Sequence, residues 1–335
     1  MPYDSLFLPG ACLLATWVLS HAFRLVALRT RLLAAPDHRS AHTVATPTGA
    51  GVAFLIAFYA GLLVAPGDLS PVWLGPLFVG LIGLLDDIRP LSVGIRAPLF
   101  ILAAVWCVFW VGFPPLEIAG VVIDTGWLGL LFGVVSLVWL QNLYNFMDGI
   151  DGIAAMEAAF VCLAALLIGG PDPWRPALLL LAAVSLGFLL INWPRARVFM
   201  GDVGSGFLGL SLGLLALAEA AVNVFVWMIL LGVFVTDACL TLLVRWRRGE
   251  IVHQPHNLHA YQHLARRFGA SRVLLGLLAV NTLWLLPIAF LANSFQEYAL
   301  FLLVFATIPL LLAAALCGAG QTEPRLEWLK TTRST

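Results

Sequence analysis

Long apolar runs alternate with short polar stretches from one end of the chain to the other. Eleven runs, at 5–27, 49–66, 71–86, 97–113, 127–146, 153–170, 175–192, 204–221, 223–244, 273–292 and 296–318, come close to the roughly 20 residues that a helix needs to cross a bilayer. A membrane barrel would instead alternate over ten-residue segments. Only 116–124 has a strand-like pattern, between Pro114-Pro115 and Gly126, and it predicts a small β-hairpin on the outer side. The pattern predicts an all-α polytopic membrane protein of ten to eleven transmembrane helices. It forms one integral domain over 1–320 and a cytoplasmic tail over 321–335.

Composition agrees. Hydrophobic residues make up 61% of the chain and charged residues 11%, against about 25% charged in soluble domains. Net charge is zero, which gives nucleic acid no general attraction. The five cysteines, Cys12, Cys107, Cys162, Cys239 and Cys317, all lie in apolar runs and form no CxxC pair. They read as small buried hydrophobes.

Charge sets the orientation. The first run begins almost at Met1 without a basic leader and is followed by Arg24, Arg29 and Arg31. It reads as a retained span with its N-terminus outside. With eleven crossings, seventeen of the eighteen basic residues fall on the cytoplasmic side, and Arg175 alone falls outside. Five polar stretches share that cytoplasmic side: 36–51, the Asp86-Asp87 pair, 142–152, 199–204 and 253–262. An Asp at the centre of a membrane helix costs about 2.5–3.5 kcal/mol, so polar groups kept beside the spans are expected to serve the chemistry.

The stretches differ in what they offer. Asp86 and Asp87 end the third run, and their side chains point about 100° apart, so one can bind while the other acts as a base. Asn142, Asn145, Asp148 and Asp151 recur every three residues, with Gly149 and Gly152 permitting a turn. Such oxygen ligands suit Mg²⁺, which shares its shell with substrate phosphates. Asp202 sits in a glycine-rich helix start, FMGDVGSG, where backbone N–H groups bind phosphate; plain N-capping is the alternative. His256, His259 and His263 lie among Arg245, Arg247, Arg248, Arg266 and Arg267. That setting favours a phosphate or sugar over zinc or a plain interfacial helix. The first stretch adds Arg39, Ser40 and His42. Asp237 lies inside the ninth run and must face protein or water.

Taken together, the DD pair, NLYNFMDGIDG, FMGDVGS and PHNLHAYQ resemble the polyprenyl-phosphate N-acetylhexosamine-1-phosphate transferases, glycosyltransferase family 4, over about 36–263. The resemblance implies transfer of a sugar 1-phosphate from a UDP-N-acetylhexosamine to undecaprenyl phosphate at a bacterial inner membrane, with release of UMP. Mg²⁺ is the implied cofactor, with Mn²⁺ as substitute. Asn145 and Asp202 would hold the metal. Asp86, with Asp87 nearby, would position or deprotonate the lipid phosphate, and Asp202 and His256 complete the catalytic set. Arg39, Asn142, Asp148, Asp151, Asn192 and His259 would bind substrate. The histidines are separated rather than consecutive, which favours the O-antigen-type branch over the peptidoglycan-type one. Asn257 stands where that branch carries an Arg. The choice among GlcNAc, QuiNAc and FucNAc stays open, as does the oligomeric state, a homodimer included. Two other readings compete. A UbiA-like prenyltransferase leaves the FMGDVGS and His stretches unexplained, and a secondary transporter would place its polar groups at mid-membrane.

Overall fold

The computed structural model of the protein describes residues 4–34, 45–65, 70–170, 172–218, 221–252, 254, 256–324, 326 and 329. Arg39, Ser40 and His42 lie outside the described residues. The first helices are α1 (Asp4–Thr30), α2 (Val52–Val64), α3 (Leu74–Ile88), α4 (Val93–Val111) and α5 (Gly126–Met147). They are followed by α6 (Ile153–Ile168), α7 (Arg175–Asn192), α8 (Gly201–Ala218), α9 (Val224–Leu230) and α10 (Gly232–Arg247). The last four are α11 (Ala260–Phe268), α12 (Ala270–Val280), α13 (Leu286–Ser294) and α14 (Ala299–Leu316).

All eleven expected segments are helical. Among the described residues, eight helices are long and apolar enough to cross a membrane, and the α9–α10 pair makes a ninth if it counts as one span. The apolar helices α2 and α6 are shorter, at 13 and 16 residues. The protein is an all-α, multi-pass membrane protein. Two segments depart from straight spans. The one expected over 223–244 is bent by 76° between α9 and α10. The one expected over 273–292 contains a π-turn, Asn281–Leu285, just before Pro287. Proline has no N–H to give, and its ring crowds the carbonyl four residues back, so the ladder widens there. The segment expected to start at residue 49 starts its helix at Val52, because the preceding residues pair elsewhere: Ala50 N–H with Phe199 O at 3.0 Å and Gly51 N–H with Met200 O at 2.8 Å.

The expected hairpin is present as β3 (Leu116–Ile118) and β4 (Val121–Ile123), paired antiparallel with Glu117 opposite Val122. Ala119 and Gly120 turn it with φ of 51° and 78°, the positive angles of a two-residue hairpin loop. It lines a small cavity with Val222, Asn223 and Gln296. A second pair, β1 (Leu33–Ala34) with β2 (Thr46–Pro47), was not legible in the pattern.

Helix α8 is the most enclosed of the long helices and packs on α3 and α5, while α7 packs on α1 and α6. The α3–α8 contact depends on Gly83, where a Cβ would collide with the backbone of Asp202 and Val203. Small residues let membrane helices approach to backbone contact. Gly83→Ala is therefore expected to cost about 1–3 kcal/mol by overpacking and to lower the thermal midpoint of the detergent-solubilised protein. Gly10→Ala, at a position with open space around it, should leave the midpoint where it is.

Candidate active site

The N-terminus of α8 is where the polar stretches converge. Its exposed N–H groups need acceptors, and they find them on another helix: Asp87 accepts from Asp202 N–H at 3.0 Å and from Val203 N–H at 3.2 Å. Asp87 thus caps α8 from the end of α3. A carboxylate also suits the positive pole of the helix. Asp86, only 8% exposed, turns the other way. It accepts Leu91 N–H at 2.5 Å and pairs with the guanidinium of Arg96 in α4. Arg96 also reaches Asp202 Oδ2 at 3.0 Å. The other oxygen of Asp202 accepts from Asn145 Nδ2 at 2.7 Å, and the same amide touches Ser205 Oγ at 2.9 Å. Asp202 is the hub that joins α3, α4, α5 and α8.

The loop between α5 and α6 brings more acid. Burial, and then the negative charges of Asp202, Asp151 and Asp87, push the carboxyl of Asp148 well above the usual carboxylate range. Asp151 Oδ2 accepts from Arg195 N–H at 2.9 Å and Ala196 N–H at 3.0 Å. Asn192 is 3% exposed and spends its amide on two backbones: it accepts from Gly152 N–H and donates to Val198 O, each at 2.8 Å. Asp151 and Asn192 therefore brace the 148–152 loop against the 193–200 loop. Asn142 donates to Val138 O of its own helix at 2.7 Å.

The histidine loop rests on Asp237, which the sequence left unplaced. One carboxylate accepts Ala260 N–H at 3.0 Å, Tyr261 N–H at 2.9 Å and Thr241 Oγ1 at 3.0 Å, and lies 3.3 Å from His259 Nδ1. It caps α11 and orients His259 at once. With its Nδ1 directed at Asp237, the ring of His259 is fixed in orientation. His256 stacks on His259 with ring centres 4.8 Å apart, and its Nδ1 lies 3.5 Å from Leu258 N–H. Burial first, then the charge of His259 and of Arg245, push His256 down to about 3. Both Nε2 atoms are buried without a partner. The flanking arginines hold the loop itself. Arg245 binds Glu250 and the carbonyls of Ile251, Val252 and Gln254. Arg248 binds Glu250 and Gly320 O, and Arg266 binds Asn257 O and His263. Tyr261 OH donates to Phe146 O at 3.1 Å and ties this loop to the acidic cluster.

Among the described residues, no three His, Cys, Asp or Glu side chains stand close enough to hold a metal by themselves. That is no obstacle for Mg²⁺, which takes one or two protein carboxylates and completes its shell with water and phosphate. The donor set fits: oxygen-bearing side chains of Asp202 and Asn145, joined to each other at 2.7 Å, with Asp148 at the end of the helix that carries Asn145. Of the residues that matter, Arg96 was legible in the sequence only as a charge on the cytoplasmic side. Its signal is its place at the start of an apolar helix rather than within the preceding loop.

A family model described as glycosyl transferase family 4 matches residues 69–220, which contain the whole acidic cluster. A phospho-N-acetylmuramoyl-pentapeptide-transferase of Pelotomaculum thermopropionicum is 32% identical over 278 residues, 74% of this chain and 82% of the relative. An undecaprenyl-phosphate alpha-N-acetylglucosaminyl 1-phosphate transferase of Thermotoga maritima is 27% identical over 311 residues, 93% and 98%. A probable undecaprenyl-phosphate N-acetylglucosaminyl 1-phosphate transferase of Bacillus subtilis is 26% identical over 275 residues, 77% and 76%. With the acidic cluster and the histidine loop at one end of a multi-pass helical bundle, the chain belongs to the polyprenyl-phosphate N-acetylhexosamine-1-phosphate transferases, glycosyl transferase family 4.

Proposed function

We propose that the protein transfers an N-acetylhexosamine 1-phosphate from a UDP-sugar to undecaprenyl phosphate at the cytoplasmic face of a bacterial inner membrane, and so starts a lipid-linked glycan. An oxygen of the lipid phosphate attacks the β-phosphorus of the UDP-sugar. The bond from that phosphorus to the bridging oxygen breaks, and UMP leaves with the electron pair. The observation that carries this reading is the convergence of Asp87 from α3, Arg96 from α4 and Asn145 from α5 onto Asp202 and the N-terminus of α8. Phosphoryl transfer needs positioning and charge neutralisation more than covalent chemistry from the protein. The relatives' names supply the acceptor class, a polyprenyl phosphate.

Asp202, Asn145 and Asp148 are the residues that would hold Mg²⁺. The ion, when bound, neutralises charge on the pyrophosphate. Arg96 offers its guanidinium to a phosphate, and Asp86 aims it. A phosphomonoester has its second pKa at about 6, so the lipid phosphate is already largely ionised at neutral pH and needs no strong base. Asp86 then acts through Arg96, and Asp87 through the helix start it caps. Neutral His256 offers an N–H to phosphate or sugar, stacked on the ring of His259.

The decisive experiment incubates purified protein with labelled UDP-GlcNAc, UDP-QuiNAc or UDP-FucNAc and undecaprenyl phosphate. One of these sugars should enter the lipid phase with an equal amount of UMP. Movement of a solute without lipid product would favour a transporter, and prenyl transfer to an aromatic acceptor a UbiA-like enzyme. Chelation with EDTA should stop the reaction and added Mg²⁺ restore it. Asp202→Asn should lower kcat by about 10²–10³-fold while membrane insertion stays intact. His256 should titrate nowhere in the physiological range: its imidazole NMR shift stays flat between about pH 5 and 8. As pH falls from 6.5 toward about 3, the unfolded chain binds a proton there that the folded chain refuses, so His256→Gln should reduce acid destabilisation in that window.

A further inference from the structure

Glu157 has no role in the cluster described above, yet it is fully buried in the second turn of α6. Its hydrogen-bond partner among the described residues comes from the π-turn that follows α12. Asn281 Nδ2, also fully buried, donates to Glu157 Oε2 at 2.6 Å. The other oxygen of each side chain, Glu157 Oε1 and Asn281 Oδ1, is buried without a partner. An ionised carboxylate only accepts, and so does an amide oxygen. Left so, the pair would hide one charge and two orphan acceptors from water, a costly arrangement. The nearby phenol of Tyr144 offers no relief, since its hydroxyl donates to Ala154 O at 2.7 Å. One hydrogen on Glu157 Oε1 removes the charge and satisfies both acceptors.

We propose that Glu157 carries a proton and pairs with Asn281 as a closed acid–amide ring, O–H to the amide oxygen and N–H to the acid carbonyl, and that this ring is a positioning device for the 148–152 loop. The wider geometry supports the assignment. Asn281 opens the π-turn, and its carbonyl accepts from Leu286 N–H five residues on. The side chain therefore projects from the one place where α12 stops being a regular helix, and π-turns often mark functional sites. One and a half turns earlier in α6, Gly152 holds φ +81° and lies beneath Leu274 of α12, whose Cδ2 would stand 2.8 Å from a Cβ there. α6 is thus clamped to α12 at two points, Gly152 under Leu274 and Glu157 on Asn281. Between the first point and Asp148 lie only Gly149, Ile150 and Asp151. Tyr261 and Gln262 close over Gly149 from α11, the helix next to α12. A slip of α6 along α12 moves Asp148 directly.

The activity arm of the test rests on the transferase reading; the spectroscopic arm does not. Infrared difference spectra between wild type and E157Q in membranes should isolate a protonated-carboxyl C=O band that shifts in D₂O. N281L should move that band upward, as the acid loses its partner. In sugar-phosphate transfer, E157Q should keep wild-type kcat, because an amide closes the same ring. E157A and N281L should lose as much as about 100-fold in kcat, the effect of a displacement of about 1 Å, with gel-filtration profiles unchanged. A carboxylate signature for Glu157, a band indifferent to N281L, or an E157Q enzyme as impaired as E157A would overturn the proposal. If the wild type transfers no sugar phosphate at all, the functional reading falls, and the infrared bands still decide the ring.

Discussion

The contact between Asp87 and the N–H groups of Asp202 and Val203 in the first turn of α8 is the interaction on which the rest depends. A helix that begins inside a bundle leaves donors that neither lipid nor its own backbone can satisfy. Here a neighbouring helix answers them, and in doing so it fixes the height of Asp202 against Asp86, Arg96 and Asn145. The approach works because Gly83 lets α3 lie on the α8 backbone. Helix packing and site geometry are one constraint in this molecule: what seats α8 also sets the carboxylate of Asp202.

A second tier of polar groups never needs to touch a ligand. Asp151, Asn192 and Asp237 each spend their oxygens on backbone N–H groups of a different segment. Each replaces a water that a soluble loop would have used. The short loops at this end of the bundle are therefore held by side chains rather than by secondary structure, which accounts for so many acids and amides beside apolar helices.

Much of this was legible in the sequence. Run lengths gave every long helical segment but not the short α11, which lies between two runs, and alternation gave the hairpin at 116–124. Asn145, Asp148 and Asp202 stood out because Asn and Asp at three-residue spacing, or within Gly-rich starts, have little reason to sit beside a span. What stayed hidden was directional. No pattern says that Asp86 and Asp87, adjacent in the chain, serve different helices, or that Arg96, ten residues on, folds back onto Asp86. The bend between α9 and α10 and the π-turn before Pro287 were missed because hydropathy runs straight through both. Arg245 and Arg266 suggested a phosphate cradle by composition; in three dimensions their donors go to loop carbonyls, a glutamate and a histidine.

The histidine loop has its own anchors. Its hydrogen bonds run to Asp237, Glu250, its own carbonyls and the Gly320–Gln321 turn, and it meets the acidic cluster along a seam of Tyr261 and His256 on Phe146 and of Tyr261 and Gln262 on Gly149. Groups that share few partners contribute nearly additively. Substitutions around His256 therefore leave the hydrogen bonds among Asp86, Asp87, Arg96, Asn145 and Asp202 largely in place. One end of the bundle thus carries two polar networks free to vary almost separately.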